Sequence, residues 1–273
     1  MDRRGKKLLQ DALRMYRFHR TPFEEIIVNM GRILEKHGAR YTFPTVASVA
    51  GQKPELLRGI LESGNELAVH GFRHLRYSLL SEEAQRSDIE RAARTFRRLG
   101  LPFTGFRAPY NDYTDMALSV LEAQGFRWDG GFGYREEYRK KADFFRIPMD
   151  GRESKIVYIP VCAWTDDTMI DRLGLTPAEI SKTLKKVLDV AYQQRGLVMF
   201  DLHPIRIGQP EYIRVLDEII AHGTDLNAWF PTVTEAVDHR TRHPGWKGDA
   251  DFCCLLTGDI DNFAFLDYLR RIL

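Results

Sequence analysis

The 273-residue sequence predicts an α/β fold with a parallel sheet and helices outside it, either a closed barrel or an open doubly wound sheet. Two observations predict this. Strand and helix signals alternate along almost the whole chain. Three polar residues, His70, Arg107 and His203, each fall at or just past the C-terminal end of an apolar strand, the rim where α/β barrels hold their active sites. The length suits one large domain, since α/β barrels of about 250 residues fold around a single core.

Thr21-Pro22-Phe23-Glu24 opens the first clear helix: Thr21 caps, Pro22 suits the first turn and Glu24 completes a capping box. Ile26, Ile27, Met30, Ile33 and Leu34 form its buried stripe, and Gly38 ends it. A strand follows over Ala39 to Phe43. Pro54 to Glu62 reads as helix, and Glu66 to Val69 as a strand running into His70. Ser81 to Leu99 is a long amphipathic helix, then Phe103 to Arg107 a strand. Thr114 to Gln124 is a helix stopped by Gly125, and Lys155 to Val161 a strand. Thr176-Pro177-Ala178-Glu179 is a second capping box, opening a helix to Gln194. Leu197 to Leu202 is a strand ending at His203, Pro210 to His222 a helix, and Ala228 to Thr232 a strand. Gly130-Gly131-Phe132-Gly133 is glycine-rich but lacks the spacing and helix of a phosphate loop. Tyr134 to Lys141 is either a substrate loop or a solvated connection.

The formal charge of +2 gives no electrostatic case for nucleic acid as the main partner. The basic N-terminus, residues 1–20, has no apolar run long enough for a signal peptide or a membrane span. Its Leu9, Leu13 and Tyr16 share one helical face, so it is either a docked helix with a solvated basic side or a membrane-surface helix. Cys162, Cys253 and Cys254 follow no disulfide or structural-zinc spacing. A cytoplasmic protein is expected.

The chemistry is carried by His70-Gly-Phe-Arg-His74, Arg107-Ala-Pro-Tyr110 and Asp201-Leu-His203-Pro204, in that order. Two histidines at i, i+4 can close on one metal ion. A catalytic zinc site takes three protein ligands and keeps one position open for water, so the pair needs an Asp or Glu. Each segment alone has a plainer reading: a surface or core histidine pair, a loop salt bridge, a structural histidine.

Taken together, these segments resemble the NodB-homology polysaccharide deacetylases, carbohydrate esterase family 4. ELAVHGFRH is similar to that family's histidine-pair motif, GFRAPY to its Arg-x-Pro-Tyr motif, GFRWDGG to its aromatic–Asp segment and FDLHP to its Leu-x-His-Pro motif. The similarity runs from about Thr21 to Val237. It implies a distorted (β/α) barrel of about seven strands. It implies that His70 and His74 bind a metal, zinc or another divalent transition ion. By the same resemblance Arg107 orients the catalytic base, and the Tyr110 backbone N–H holds the oxyanion. His203 is the general acid, held by Asp129, while Trp128 and Leu202 wall a small acyl pocket.

The chain departs from the family at one place. The family opens with a strand ending in Thr-Phe-Asp-Asp, which supplies the base and a metal ligand, whereas Met15 to Arg20 contains no carboxylate. Beyond Thr232-Val-Thr-Glu235, which resembles the family's last elements, lies Asp251-Phe-Cys-Cys-Leu-Leu-Thr-Gly-Asp-Ile-Asp261, an apolar strand ending in two carboxylates, then a helix over Phe263 to Ile272. The expectation is a circularly permuted barrel, with residues 1–20 a basic helix, 21–237 the barrel body and 251–273 completing it. Asp261 is then the third metal ligand and Asp259 the general base. The competing reading of Gly258-Asp259 and Asp261-Asn262 is a turn and helix cap. Asp166 and Asp167, in Trp164-Thr-Asp-Asp167, are the second candidates for the ligand. A swapped dimer, in which the last strand enters a partner's barrel, is the third arrangement.

The functional expectation is a metal-dependent amide hydrolase removing an N-acyl group, acetyl foremost, from an amino sugar. The alternatives are a non-catalytic barrel binding a glycan or a protein, and a metal-independent ureide hydrolase.

Overall fold

The computed structural model describes residues 12–112, 114–131, 142–149 and 151–272. Leu9, with the rest of the first eleven residues, Phe132 and Gly133 of the glycine-rich run, and Tyr134 to Lys141 lie outside them. Among the described residues nine strands form: β1 (Tyr41–Thr45), β2 (Glu66–Val69), β3 (Gly105–Phe106), β4 (Trp128–Gly131), β5 (Phe145–Met149), β6 (Arg152–Pro160), β7 (Leu197–Asp201), β8 (Ala228–Trp229) and β9 (Phe252–Thr257). The main helices are α1 (Phe23–His37), α2 (Pro54–Glu62), α3 (Glu82–Arg98), α4 (Asp115–Gln124), α5 (Pro177–Gln194), α6 (Ile213–Asp225), α7 (Val233–Arg242) and α8 (Phe265–Ile272). Ser81, Thr114, Thr176 and Thr232 cap α3, α4, α5 and α7 through their side chains, the last two as full capping boxes.

The strands form one sheet in the order β5-β6-β4-β3-β2-β1-β9-β7, with β8 also against β9. All neighbours are parallel except β5, which pairs antiparallel with β6. The alternating faces of β9 separate the two sides. Phe252, Cys254 and Leu256 pack with the surrounding helices, while Cys253 and Leu255 pack inward with Met199, Trp128 and Ile159. Val233, Ala236 and Val237 of α7 join this inner cluster and so close one end of the barrel. Between β6 and β7 the wall is bridged by the Cys162 N–H donating to the Met199 carbonyl, 2.8 Å. The result is an α/β barrel whose wall is irregular on that side.

β9 has the consequence for function. It lies between β1 and β7 in one chain, with Thr42 opposite Thr257 on one side and Asp201 opposite Thr257 on the other. Pairing continues past its end: Ile260 N–H donates to the Pro44 carbonyl at 2.7 Å, and Val46 N–H to the Ile260 carbonyl at 3.1 Å. Asp259 and Asp261 are thereby carried to the rim where β2 delivers His70.

Several elements differ from expectation. Thr21 does not cap α1; its hydroxyl donates to Gln209 Oε1 at 2.8 Å. β4 and β5 were not foreseen as strands. The antiparallel hairpin they lead to begins β6 at Arg152 rather than Lys155, after a turn at Gly151 with φ of 76°. The strand expected over Ala228 to Thr232 stops at Trp229, because Pro231 has no N–H to give and Thr232 turns to cap α7. The strand expected over Phe103 to Arg107 is reduced to Gly105–Phe106. Only a residue without a side chain fits at Gly105, since a Cβ there would fall 1.8 Å from the Trp128 ring. Among the described residues no helix is long and apolar enough to cross a membrane.

Candidate active site

His70 leaves the end of β2 fully buried, and its Nδ1 lies 2.8 Å from the Arg107 carbonyl. A carbonyl only accepts, so Nδ1 carries the proton and Nε2 the lone pair. That Nε2 is buried with no hydrogen-bond partner, and it faces Asp259 Oδ2 at 3.3 Å and Asp261 Oδ1 at 3.6 Å. His74 Nε2 stands 3.4 Å from Asp261 Oδ2. One donor atom each from His70, His74 and Asp261 lie within 4.8 Å of one another.

This donor set fits a divalent cation. A ring lone pair pointed at two carboxylates is repulsive unless a cation or a proton lies between them. Ligands on a tetrahedral ion with bonds near 2.1 Å stand about 3.4 Å apart, close to the separations here. The Nδ1 bond to a backbone carbonyl is also the usual way a ligating imidazole is oriented.

The loop that brings His74 back to His70 is held by Asp88 of α3. Its carboxylate accepts from the Phe72 N–H (2.8 Å), the Arg73 N–H (3.1 Å) and the Tyr77 hydroxyl (2.9 Å). Gly71 turns the chain at φ 71°, where a Cβ would meet Asp88 Oδ2 at 2.9 Å.

Arg107 lies fully buried at the centre of the rim. Its Nη1 donates to Asp259 Oδ1 (2.9 Å) and Asp201 Oδ1 (3.0 Å), Nη2 to Thr257 Oγ1 (2.5 Å) and Nε to the Gly130 carbonyl (3.3 Å). It thus fixes one oxygen of Asp259 and leaves the other facing the histidines. Burial pushes the Asp259 carboxyl above its ordinary range, against the pull of His70 and Arg107. After Arg107 the chain makes a sharp turn: Tyr110 (φ 61°) and Asn111 (φ 54°) are both left-handed. Such a conformation is costly for non-glycine residues and marks functional turns. The Tyr110 ring packs edge-on against His74 with centroids 4.4 Å apart.

His203 follows β7 and donates from Nδ1 to Asp166 Oδ1 at 2.7 Å, while its Nε2 lies 3.8 Å from Asp259 Oδ2. Burial alone would lower its pKa, but the Asp166 and Asp201 carboxylates outweigh it and hold the ring well above the ordinary histidine range. His74, Tyr110, Asp201, His203, Asp259 and Asp261 all line one cavity of about 550 Å³.

The structure therefore gathers His70, His74, Arg107, Tyr110, His203, Asp259 and Asp261 on one rim. It does not bring three expected residues there. Asp129 sits on β4 opposite Tyr158 and Phe106, on the helix-facing side, so the carboxylate on His203 is Asp166 instead. Trp128 points inward, is fully buried, and donates from its indole N–H to Thr234 Oγ1 at the α7 end of the barrel, 2.9 Å. Leu202 is fully buried among the helices' apolar residues, away from the cavity lining. Asp166, Asp201 and Thr257 are the site residues not assigned from sequence. The signal for Asp166 was present in Trp164-Thr-Asp-Asp167, a rim segment read only as a rival metal-ligand pair.

Residues 16–128 match the family model described as polysaccharide deacetylase. No curated protein matches the sequence. Among solved structures, a probable polysaccharide deacetylase from Pseudomonas aeruginosa PAO1 superposes with a TM-score of 0.69 at 20% identity, covering 85% of this chain and 77% of that one. A protein of Mycobacterium smegmatis carrying a similarly provisional deacetylase name gives 0.70 at 21% identity, over 81% and 78%. The Puue allantoinase gives 0.70 at 20%, over 85% and 76%. At such identities the likeness is one of fold. The match over residues 16–128 and the shared fold make the chain similar to the polysaccharide deacetylases in that stretch of sequence and in architecture.

Proposed function

We propose that the protein is a metal-dependent amide hydrolase that removes an N-acyl group, acetyl foremost, from an amino sugar. The observation that carries this reading is the meeting of Asp259 and Asp261, from the far end of the chain, with His70 and His74. His70, His74 and Asp261 would hold the cation, zinc by the nitrogen-rich donor set. When bound it supplies Lewis-acid polarisation of the acyl carbonyl and a lowered water pKa.

The chain's own residues do the rest. Asp259, oriented by Arg107, takes a proton from the attacking water. Tyr110, which lines the cavity, would offer its backbone N–H as a donor for the developing oxyanion, an interaction of large catalytic effect. His203, kept protonated by Asp166, gives its Nε2 proton to the departing amine. The products are a carboxylic acid and the free amino sugar. On this reading the chain is one catalytic unit, permuted so that the strand bearing both carboxylates comes last.

The non-catalytic barrel requires Asp259 and Asp261 to turn away from the histidines, and the separations of 3.3 and 3.6 Å speak against it. A metal-independent ureide hydrolase would leave the His70 lone pair facing carboxylates without a cation.

The test is elemental analysis of protein prepared without chelators or tag-derived metal. The wild type should carry about one zinc, and Asp261→Ala and His74→Ala should lose it. Zinc retained by Asp261→Ala would remove Asp261 from the ligand set. No zinc in the wild type, even after reconstitution, would end the metal-dependent reading.

A further inference from the structure

Four arginines from four separate segments line the catalytic cavity: Arg14, Arg76, Arg172 and Arg206. No lysine lines it among the described residues. The carboxylates deeper in are already engaged. Asp201 and Asp259 bind Arg107, and Asp261 faces the two histidines. The fourth carboxylate of the lining, Asp167, accepts from the Thr165 hydroxyl and lies in the field of His203 and Arg206.

The arginines are not equivalent. Arg206 is spent on Asp171, with Nε to Oδ2 at 3.0 Å. Arg172 is exposed, with no carboxylate in ion-pair reach among the described residues. Arg76 is held in place by stacking: its guanidinium carbon lies 4.4 Å from the centroid of the Tyr110 ring. Asp112 stands 4.0 Å from it, and the other Asp112 oxygen is taken by Ser78, through its N–H at 2.8 Å and its hydroxyl at 2.7 Å. Arg76 is thus a positioned and incompletely neutralised guanidinium beside the left-handed turn at Tyr110. A planar fork of N–H donors matches an oxyanion bidentately, which a lysine cannot do.

We propose that Arg76 and Arg172 form an anion subsite, and that the acylated substrate carries a negatively charged group, phosphate or carboxylate, next to the amino sugar. This rests on the hydrolase reading for the reaction but not for the binding.

The test compares three probes on the zinc-loaded enzyme: N-acetylglucosamine 1-phosphate, N-acetylmuramic acid and the neutral methyl N-acetylglucosaminide. The anionic probes should exceed the neutral one in kcat/KM by about tenfold at low salt, mainly through KM, with less advantage at high salt. Whichever anion leads identifies the group. In Arg172→Gln, and in the Arg76→Gln/Arg172→Gln pair, the ratio of anionic to neutral kcat/KM should fall toward one. The ratio cancels any common loss from disturbing Tyr110. Calorimetric binding of the same three probes to wild type and Arg172→Gln separates the two ideas. A binding preference for the anions that Arg172→Gln abolishes, with no turnover of any probe, keeps the subsite and sinks the hydrolase reading. Equal handling of charged and neutral probes, or an anion preference that survives in the double variant because the anion sits on the metal, overturns the subsite.

Discussion

His203 donates to Asp166, and that bond governs when the ring carries a proton. The carboxylate raises the histidine pKa, so Asp166→Asn should lower it, since a close opposite charge favours the protonated ring. A general acid works only while protonated, so the alkaline limb of the kcat/KM profile should move to lower pH in that variant. An unmoved limb would remove His203 as the acid or Asp166 as its partner. Asp129 behaves oppositely. Burial lifts its carboxyl to about 7, against the pull of Arg107. A carboxyl with a folded pKa above its unfolded value binds more protons when folded, so its contribution to stability is full at low pH and is lost as pH rises toward 7. Asp129→Asn should gain stability relative to wild type between pH 5 and pH 8, by roughly 2–4 kcal/mol at the upper end. Denaturant melts at the two pH values measure it. A shift of the activity limb in Asp129→Asn, matching that of Asp166→Asn, would restore the role the family resemblance implied.

At the scale of elements, α3 and the loop after β2 act as a unit. Three donors converge on Asp88, and the loop they fix ends at His74. Asp88→Ala leaves those donors unpaired, a cost of about 1–3 kcal/mol for each one that stays buried. Its mark on function is the metal: zinc affinity, read by chelator competition, should fall about 10–100-fold, the size expected for losing an orienting partner. Unchanged affinity in a folded Asp88→Ala protein would make Asp88 a support of the fold alone. This pair of elements also shows what sequence conveys. The apolar run of β2, the capping box of α5 and the polar residues at strand ends are local signals, and all were readable. β4 and β5 were not: Trp128-Asp-Gly-Gly131 has neither alternation nor strand propensity, and becomes a strand through its neighbours β3 and β6. Trp128 was misassigned for the same reason, since which face of β4 it occupies depends on register. The partner of His203 was equally nonlocal, because a bond between residues 166 and 203 is set by the closure of the wall between β6 and β7.

The whole molecule depends on its last strand. β9 is paired on both sides, by β1 and β7, so removing it exposes two sheet edges and opens the inner core at Cys253 and Leu255. A chain lacking residues 250–273 should fail to fold. If β9 occupies the slot of a displaced first strand, its position in the sequence should be exchangeable. The Phe263 ring lies 5.2 Å from that of Phe23, and the Phe265 ring 5.2 Å from that of Tyr16, so α8 runs beside the start of α1. α8 is eight residues long, or about 12 Å. A glycine–serine linker of about ten residues reaches some 30 Å when extended, enough to return from its end to the helical turn before Tyr16. The break falls in the exposed turn around Lys247–Asp249, between α7 and β9, the kind of site where new termini are tolerated. A rearranged protein beginning at residue 250, running through 273 and the linker into residue 12 and ending at 248, so that Met15 and Phe18 stay in the core, should be a monomer binding zinc as the original does. The swapped-dimer arrangement predicts dimers for the original chain by ultracentrifugation. A rearranged chain that unfolds, or folds without zinc while the original binds it, would show that β9 needs its native connection through α7 and is not a first strand displaced to the end.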